Sequence, residues 1–157
     1  MTEQLSLSET AVIEHACAKL YYRLGLAADA NFAGFIDCFS RDIVWVRPTM
    51  EMRGLAEVKS FLDQEVARIT PVNGIGHMTR HLYTNIVIDV VDRGKAHGRA
   101  YATIYRDERF DGQLPAPMAE PEVIVEYKSE FSLEDGAWKI SRHMAWLVMS
   151  RHATKRS

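Results

Sequence analysis

The feature that most constrains this chain is a change of period at His77. Before it, apolar residues recur every three to four positions; after it they alternate through four long segments, at about residues 77–91, 95–108, 121–134 and 137–151. Four successive alternating segments read as an antiparallel meander with one face covered. "DRGK" links the first two, and "EDGA" supplies the Asp135-Gly136 dipeptide favoured in a two-residue type I′ turn. The longer link, within residues 109–121, is rich in proline and glycine and is expected to be a mobile surface loop, suited to act as a lid. Alternation about the last turn puts Trp138, Ile140, Arg142, Met144 and Trp146 on the apolar side with Phe131, Tyr127 and Val125. The same count puts His143 on the solvent side with Lys128.

Ahead of the strands, Ser6 and Glu9 fit a capping box. Val12, Ile13, Ala16, Leu20, Leu24 and Ala27 recur at helical spacing, so a first helix is expected to about Ala28. "NFAGFIDCF" reads as a second, short helix capped by Asn31, and "DIVWVRP" as a strand stopped by Pro48. "LAEVKSFLDQEVARI" is a third helix, with Leu55, Val58, Phe61, Leu62, Val66 and Ile69 on one face. Three helices and a curved antiparallel sheet make an α+β architecture, and 157 residues suit one domain, 1–157, that buries its own core.

Charge excludes some partners. With 19 basic and 21 acidic residues, the net charge of −2 gives no electrostatic reason to expect nucleic acid or an anionic membrane. A small neutral ligand fits better. Cys17 and Cys38 form no metal or redox motif, the start "MTEQLSLSET" is not a secretory signal, and no apolar run approaches the ~18–20 residues of a membrane span. An intracellular, cytoplasmic protein with reduced thiols is the expectation.

"HMTRHLYTN", residues 77 to 85, places two histidines four apart. On a helix they would share a face, but on a strand rising ~3.3 Å per residue they lie roughly 13 Å apart and cannot chelate one ion. No metal site is expected there, because a zinc site needs three or four convergent ligands. His77 is assigned to the rim or surface, and His81 remains as a strand histidine that either packs or catalyses. Asn85 shares its face by alternation. Across the hairpin, the neighbour of His81 is Tyr105 if "DRGK" includes a bulge, and Arg106 if it does not.

Helix, helix, strand, helix and a four-strand meander resemble the cone-shaped, cystatin-like fold of the nuclear transport factor 2-like superfamily, over nearly the whole chain. The run "FIDCFSRDIVWV", the entry "MRGLAEVKSFL" and the strand "RHLYTN" resemble its SnoaL-like branch, which includes scytalone dehydratase and hexachlorocyclohexane dehydrochlorinase. The resemblance implies an apolar pocket between helices and sheet, a cofactor-free reaction, and self-association as a dimer or higher homo-oligomer through the outer sheet face. Ile124, Leu147 and Met149 are the apolar candidates for that contact.

It also implies roles. His81 stands where the branch has its proton-abstracting histidine. Asp29, one residue beyond the gap-free position of the family's aspartate, is the carboxylate that would orient it; Ala28 stands where the dehydratase has a tyrosine. Tyr22, seven residues before Asp29, would lie within roughly 20° of the same helix face, with Tyr21 the competing choice. The aspartate base of the ketosteroid isomerase branch aligns with Arg47, so that form of isomerase mechanism is not expected. Trp45 and Met144 complete the set as pocket wall or core.

The reading that follows is a lyase, dehydratase-like, or an isomerase acting on a small, mostly apolar cyclic compound. Asp29 and His81 would be catalytic, and Tyr22, Trp45, Asn85, Tyr105 and Met144 would bind substrate. Two other classes compete: a non-catalytic small-molecule-binding protein, which needs no contact between Asp29 and His81, and a structural subunit resembling the β chain of aromatic-ring dioxygenases, which needs a filled cone.

Overall fold

Ser6 opens helix α1 (Leu7–Asp29) through the expected capping box. Its hydroxyl accepts the Glu9 N–H at 3.2 Å, and the Glu9 carboxylate accepts the Ser6 N–H at 2.8 Å. The computed structural model describes residues 4–72, 74–118 and 120–153. Beyond α1 come strands β1 (Phe39–Arg47) and β2 (Met50–Arg53), helix α2 (Gly54–Ile69), and the long strands β3 (Gly76–Asp92), β4 (Lys95–Phe110), β5 (Pro121–Glu134) and β6 (Ala137–Ser150).

The expected second helix is not one. Asn31 and Phe32 adopt φ of 55° and 64°, and two successive left-handed residues cannot continue a right-handed helix. Only a 3-10 turn, Ile36–Cys38, remains of it. Among the described residues two α-helices and this turn, rather than three helices, accompany the sheet. Met50–Arg53, a segment to which the sequence pattern gave no strand, is β2 and pairs with β1.

The sheet is unclosed, in the order β2-β1-β6-β5-β4-β3. It is mixed rather than wholly antiparallel, because β1 runs parallel to β6. No hairpin joins that pair, so nothing in their connection imposes the antiparallel sense. The core cluster includes Leu20, Tyr21 and Leu24 of α1, Val58 and Leu62 of α2, Ile43 and Trp45 of β1, and Phe131 and Ile140 of the last hairpin. Leu24 is fully buried, and its truncation to alanine would cost about 2–5 kcal/mol.

Two glycines let α1 lie close on the sheet. A Cβ on Gly25 would stand 3.1 Å from the Tyr83 ring and 3.4 Å from the His81 carbonyl. On Gly98 it would stand 2.7 Å from Phe131 and 3.0 Å from the Tyr21 hydroxyl. A side chain at Gly98 would force its neighbours to shift, and one at Gly25 would press on the Tyr83 ring.

Bulges decide which residues face inward. In β3 the register slips between Thr84 and Val87, with Asn85 left-handed at φ 51°, so the inward set changes from Tyr83 to Ile86 and Ile88. In β6 Phe131 pairs with Ile140 but Glu130 with Arg142, leaving Ser141 as an extra residue. Beyond it the parity reverses: His143 is buried, whereas Arg142, Met144 and Trp146 lose the inward positions that simple alternation gives them. Among the described residues no helix is long and apolar enough to cross a membrane.

Candidate active site

Between α1, α2 and the sheet lies a cavity of about 360 Å³, whose walls include His81, Tyr83, Trp45, Phe61, Tyr127 and His143. That volume is in the range of small-molecule sites. The lining is more polar than expected. Arg47, Arg68, Arg106, Glu65 and Glu122 share it with the apolar side chains.

Asp29, the last residue of α1, puts its carboxylate behind His81. Oδ1 lies 2.7 Å from the His81 Nδ1, and Oδ1 and Oδ2 accept the His81 backbone N–H at 3.1 and 3.3 Å. The two side chains are 15% and 14% exposed, so the contact is sheltered from water. A carboxylate at the negative end of a helix is disfavoured by the macrodipole, and α1 has no basic residue in its last turn to offset it. The His81 donors supply that compensation. With Nδ1 taken up by Asp29, Nε2 is the ring atom left for a ligand in the cavity.

Of the other residues singled out in the sequence, Trp45 lines the cavity at 6% exposure. Tyr22 points out of α1 at 53% exposure, because Tyr21 takes the buried face one step around the helix. Asn85 is the exposed bulge residue. Tyr105 pairs with Arg80, and the residue opposite His81 is Ile104, so Tyr105 falls on the other face. Met144 is displaced by the Ser141 bulge. None of these four lines the cavity. Leu147, proposed for the outer face, lines the cavity instead, while Ile124 and Met149 pair with each other.

The positions they leave are filled by residues that the strand pattern hid or understated. His77 lines the cavity rather than the surface, with Nδ1 buried and unpartnered among the described residues. Tyr83, two residues beyond His81, needed only one step of alternation to be found. Burial pushes the Tyr83 phenol well above its ordinary range, with the Tyr127 phenol adding to it. Burial raises Tyr127 too, while a hydrogen bond from Tyr83 and the charge of Arg47 pull it back. Both phenols therefore stay protonated; the Tyr83 O–H is taken up by Tyr127, and the Tyr127 O–H is left to donate.

His143 is 1% exposed, bonds Ser129 Oγ through Nδ1 at 2.8 Å and stacks on Tyr127 at 4.6 Å. Burial pushes it down to about 3, so it is neutral at physiological pH. Among the described residues no cluster of three or more His, Cys, Asp or Glu side chains could hold a metal. None of the described residues between β4 and β5 lines the cavity.

No curated protein matches the chain in sequence. A proposed scytalone dehydratase from Novosphingobium aromaticivorans DSM 12444 superposes with a TM-score of 0.73 at 19% identity, over 97% of this chain and 95% of its own. Hexachlorocyclohexane dehydrochlorinase type 3 from Novosphingobium barchaimii LL02 gives 0.69 at 17% identity, over 92% of each chain. A protein of unknown function with a cystatin-like fold from Nostoc punctiforme PCC 73102 gives 0.68 at 14%, over 92% and 95%. These likenesses establish the cystatin-like fold. The SnoaL-like domain matches residues 9–143, and by that match the chain belongs to the SnoaL-like family.

Proposed function

We propose that the cavity is the active site of a cofactor-free lyase in which Asp29 orients His81 as general base and the favoured reaction is loss of water. The observation that carries this reading is the 2.7 Å contact between the Asp29 carboxylate and the ring of a histidine in the cavity wall. A purely binding pocket has no need of it. The open cavity counts against a packed structural subunit. The similar structures named as a dehydratase and a dehydrochlorinase are both named for eliminations, which supports the class of reaction.

In the step proposed, His81 Nε2 takes a proton from carbon next to a carbonyl. The electron pair of that C–H bond becomes the new C=C bond, and the C–O bond to the leaving hydroxyl breaks. The imidazolium, stabilised by Asp29, returns its proton so that water departs. Tyr127, in place of Tyr22 and Tyr105, donates to the oxygen on which charge develops, and the Tyr83 O–H donated to Tyr127 supports it. Returning the proton to another carbon instead would make the same site an isomerase.

The test is a panel of cyclic β-hydroxyketones incubated with the full chain in D₂O and followed by NMR. Wild type is expected to release water from at least one. His81→Ala and Asp29→Asn should each slow that substrate, His81→Ala by about 10²–10⁴-fold. Unchanged turnover in both variants refutes the reading. Exposed outer-face residues Leu82, Tyr101 and Trp146 support self-association, which sedimentation checks.

A further inference from the structure

The cavity wall contains three guanidinium groups, and two are already neutralised. Arg68 pairs with Glu65 at 2.9 Å and Arg106 with Glu122 at 3.2 Å, and all four residues line the cavity. Arg47 differs. Its Cζ lies 4.7 Å from the Phe61 ring centroid and 5.6 Å from that of Trp45, and it has no carboxylate partner among the described residues. Cation–π contact fixes the guanidinium without consuming its N–H donors, all of which lie in the plane of the group. A second donor of the same wall, the Trp45 indole N–H, is buried without an acceptor among the described residues.

Such a cation needs an anion. The carboxylate of Asp29 is engaged twice by His81, and Glu65 and Glu122 are held by the other arginines, so no acid of the wall is left for Arg47. We infer that Arg47 anchors a carboxylate carried by the substrate, with Trp45 and Phe61 walling the ring beside it. The ligand is then an apolar ring compound bearing one negative charge, not the neutral compound that net charge favours. Planar, bidentate recognition is what guanidinium offers a carboxylate and a phenol does not. This inference rests on the reading of the cavity as the substrate site, but it concerns binding and not the dyad.

The experiment titrates the full chain with 2-naphthoate and with 2-acetonaphthone, a neutral ketone of similar shape, by calorimetry at neutral pH. Naphthoate is expected to bind roughly ten-fold or more tightly than the ketone. Arg47→Met, its fold checked by thermal unfolding, should lower the affinity for naphthoate to that for the ketone and so erase the preference; Arg47→Lys should retain part of it. Absent naphthoate binding, equal affinity for both probes, or an unchanged preference in Arg47→Met overturns the anchor. Preference through Arg47 in a protein that eliminates nothing would keep the anchor and remove the lyase. Turnover of neutral ketones with no preference for naphthoate would do the reverse.

Discussion

The Asp29 carboxylate accepts both the backbone N–H of His81 and, at 2.7 Å, its ring, so one side chain at the end of α1 fixes the strand and the imidazole together. Chain position and ring orientation are therefore coupled.

Removing that carboxylate has a cost even without a substrate. Asp29→Ala leaves the sheltered His81 N–H without its acceptor, worth about 1–3 kcal/mol, and relieves an unfavourable helix-end charge worth about 0.3–1 kcal/mol. A net destabilisation near 1–2 kcal/mol is expected in urea unfolding. Asp29→Asn, which keeps an acceptor, should lose less.

Gly25 lies one turn before Asp29 on the same face and sets the spacing of α1 from β3. Alanine there gains about 1 kcal/mol of helix propensity but presses on Tyr83, so it should be close to neutral. Gly25→Val should lose about 1–3 kcal/mol by overpacking and lengthen the contact between Asp29 and His81. Thermal unfolding and a crystal structure of the variant check the two effects.

The expected architecture was largely visible in the residues: the Ser6 and Glu9 cap, the Asp135-Gly136 turn and four alternating segments correspond to α1 and β3 to β6. Alternation is only as good as the register, and single-residue bulges are what it misses. Asn85 offered a hint, because asparagine tolerates the left-handed region better than most residues. Ser141 offered none, and with it His143 moved from the solvent side to the buried wall of the cavity. Asp29 and His81 were reachable through the family pattern. Arg47 was visible only as the residue aligned with another enzyme's base, because its lack of a carboxylate partner among the described residues depends on which acids fold beside it.

Acid should expose His143. Its folded value, pushed down to about 3 by burial, lies below the unfolded value near 6.5, so the unfolded chain binds the proton more readily. Its contribution is fully present above pH ~6.5 and is lost as pH falls toward 3, at up to about 1.4 kcal/mol per pH unit. His143→Phe should flatten that part of the stability curve measured by denaturant melts from pH 4 to pH 7.

Cys17 and Cys38 should be inert in the folded protein. They are 0% and 3% exposed, and burial pushes their thiols up to about 12 and about 11. A disulfide-exchange reagent at pH 8 should label neither at the rate of an unfolded thiol, and both once urea unfolds the chain. Rapid native labelling would contradict their placement.

The most direct test of the dyad is the tautomer of His81, read by ¹⁵N NMR of histidine-labelled protein at a pH where that ring is neutral. A base whose Nδ1 is held by Asp29 at 2.7 Å must carry its proton there and present a bare Nε2 to the cavity. The expected spectrum shows the Nδ1–H form in wild type and its loss in Asp29→Ala. An Nε2–H ring in wild type, or a tautomer indifferent to Asp29, would contradict the general-base role at the centre of the proposed reaction.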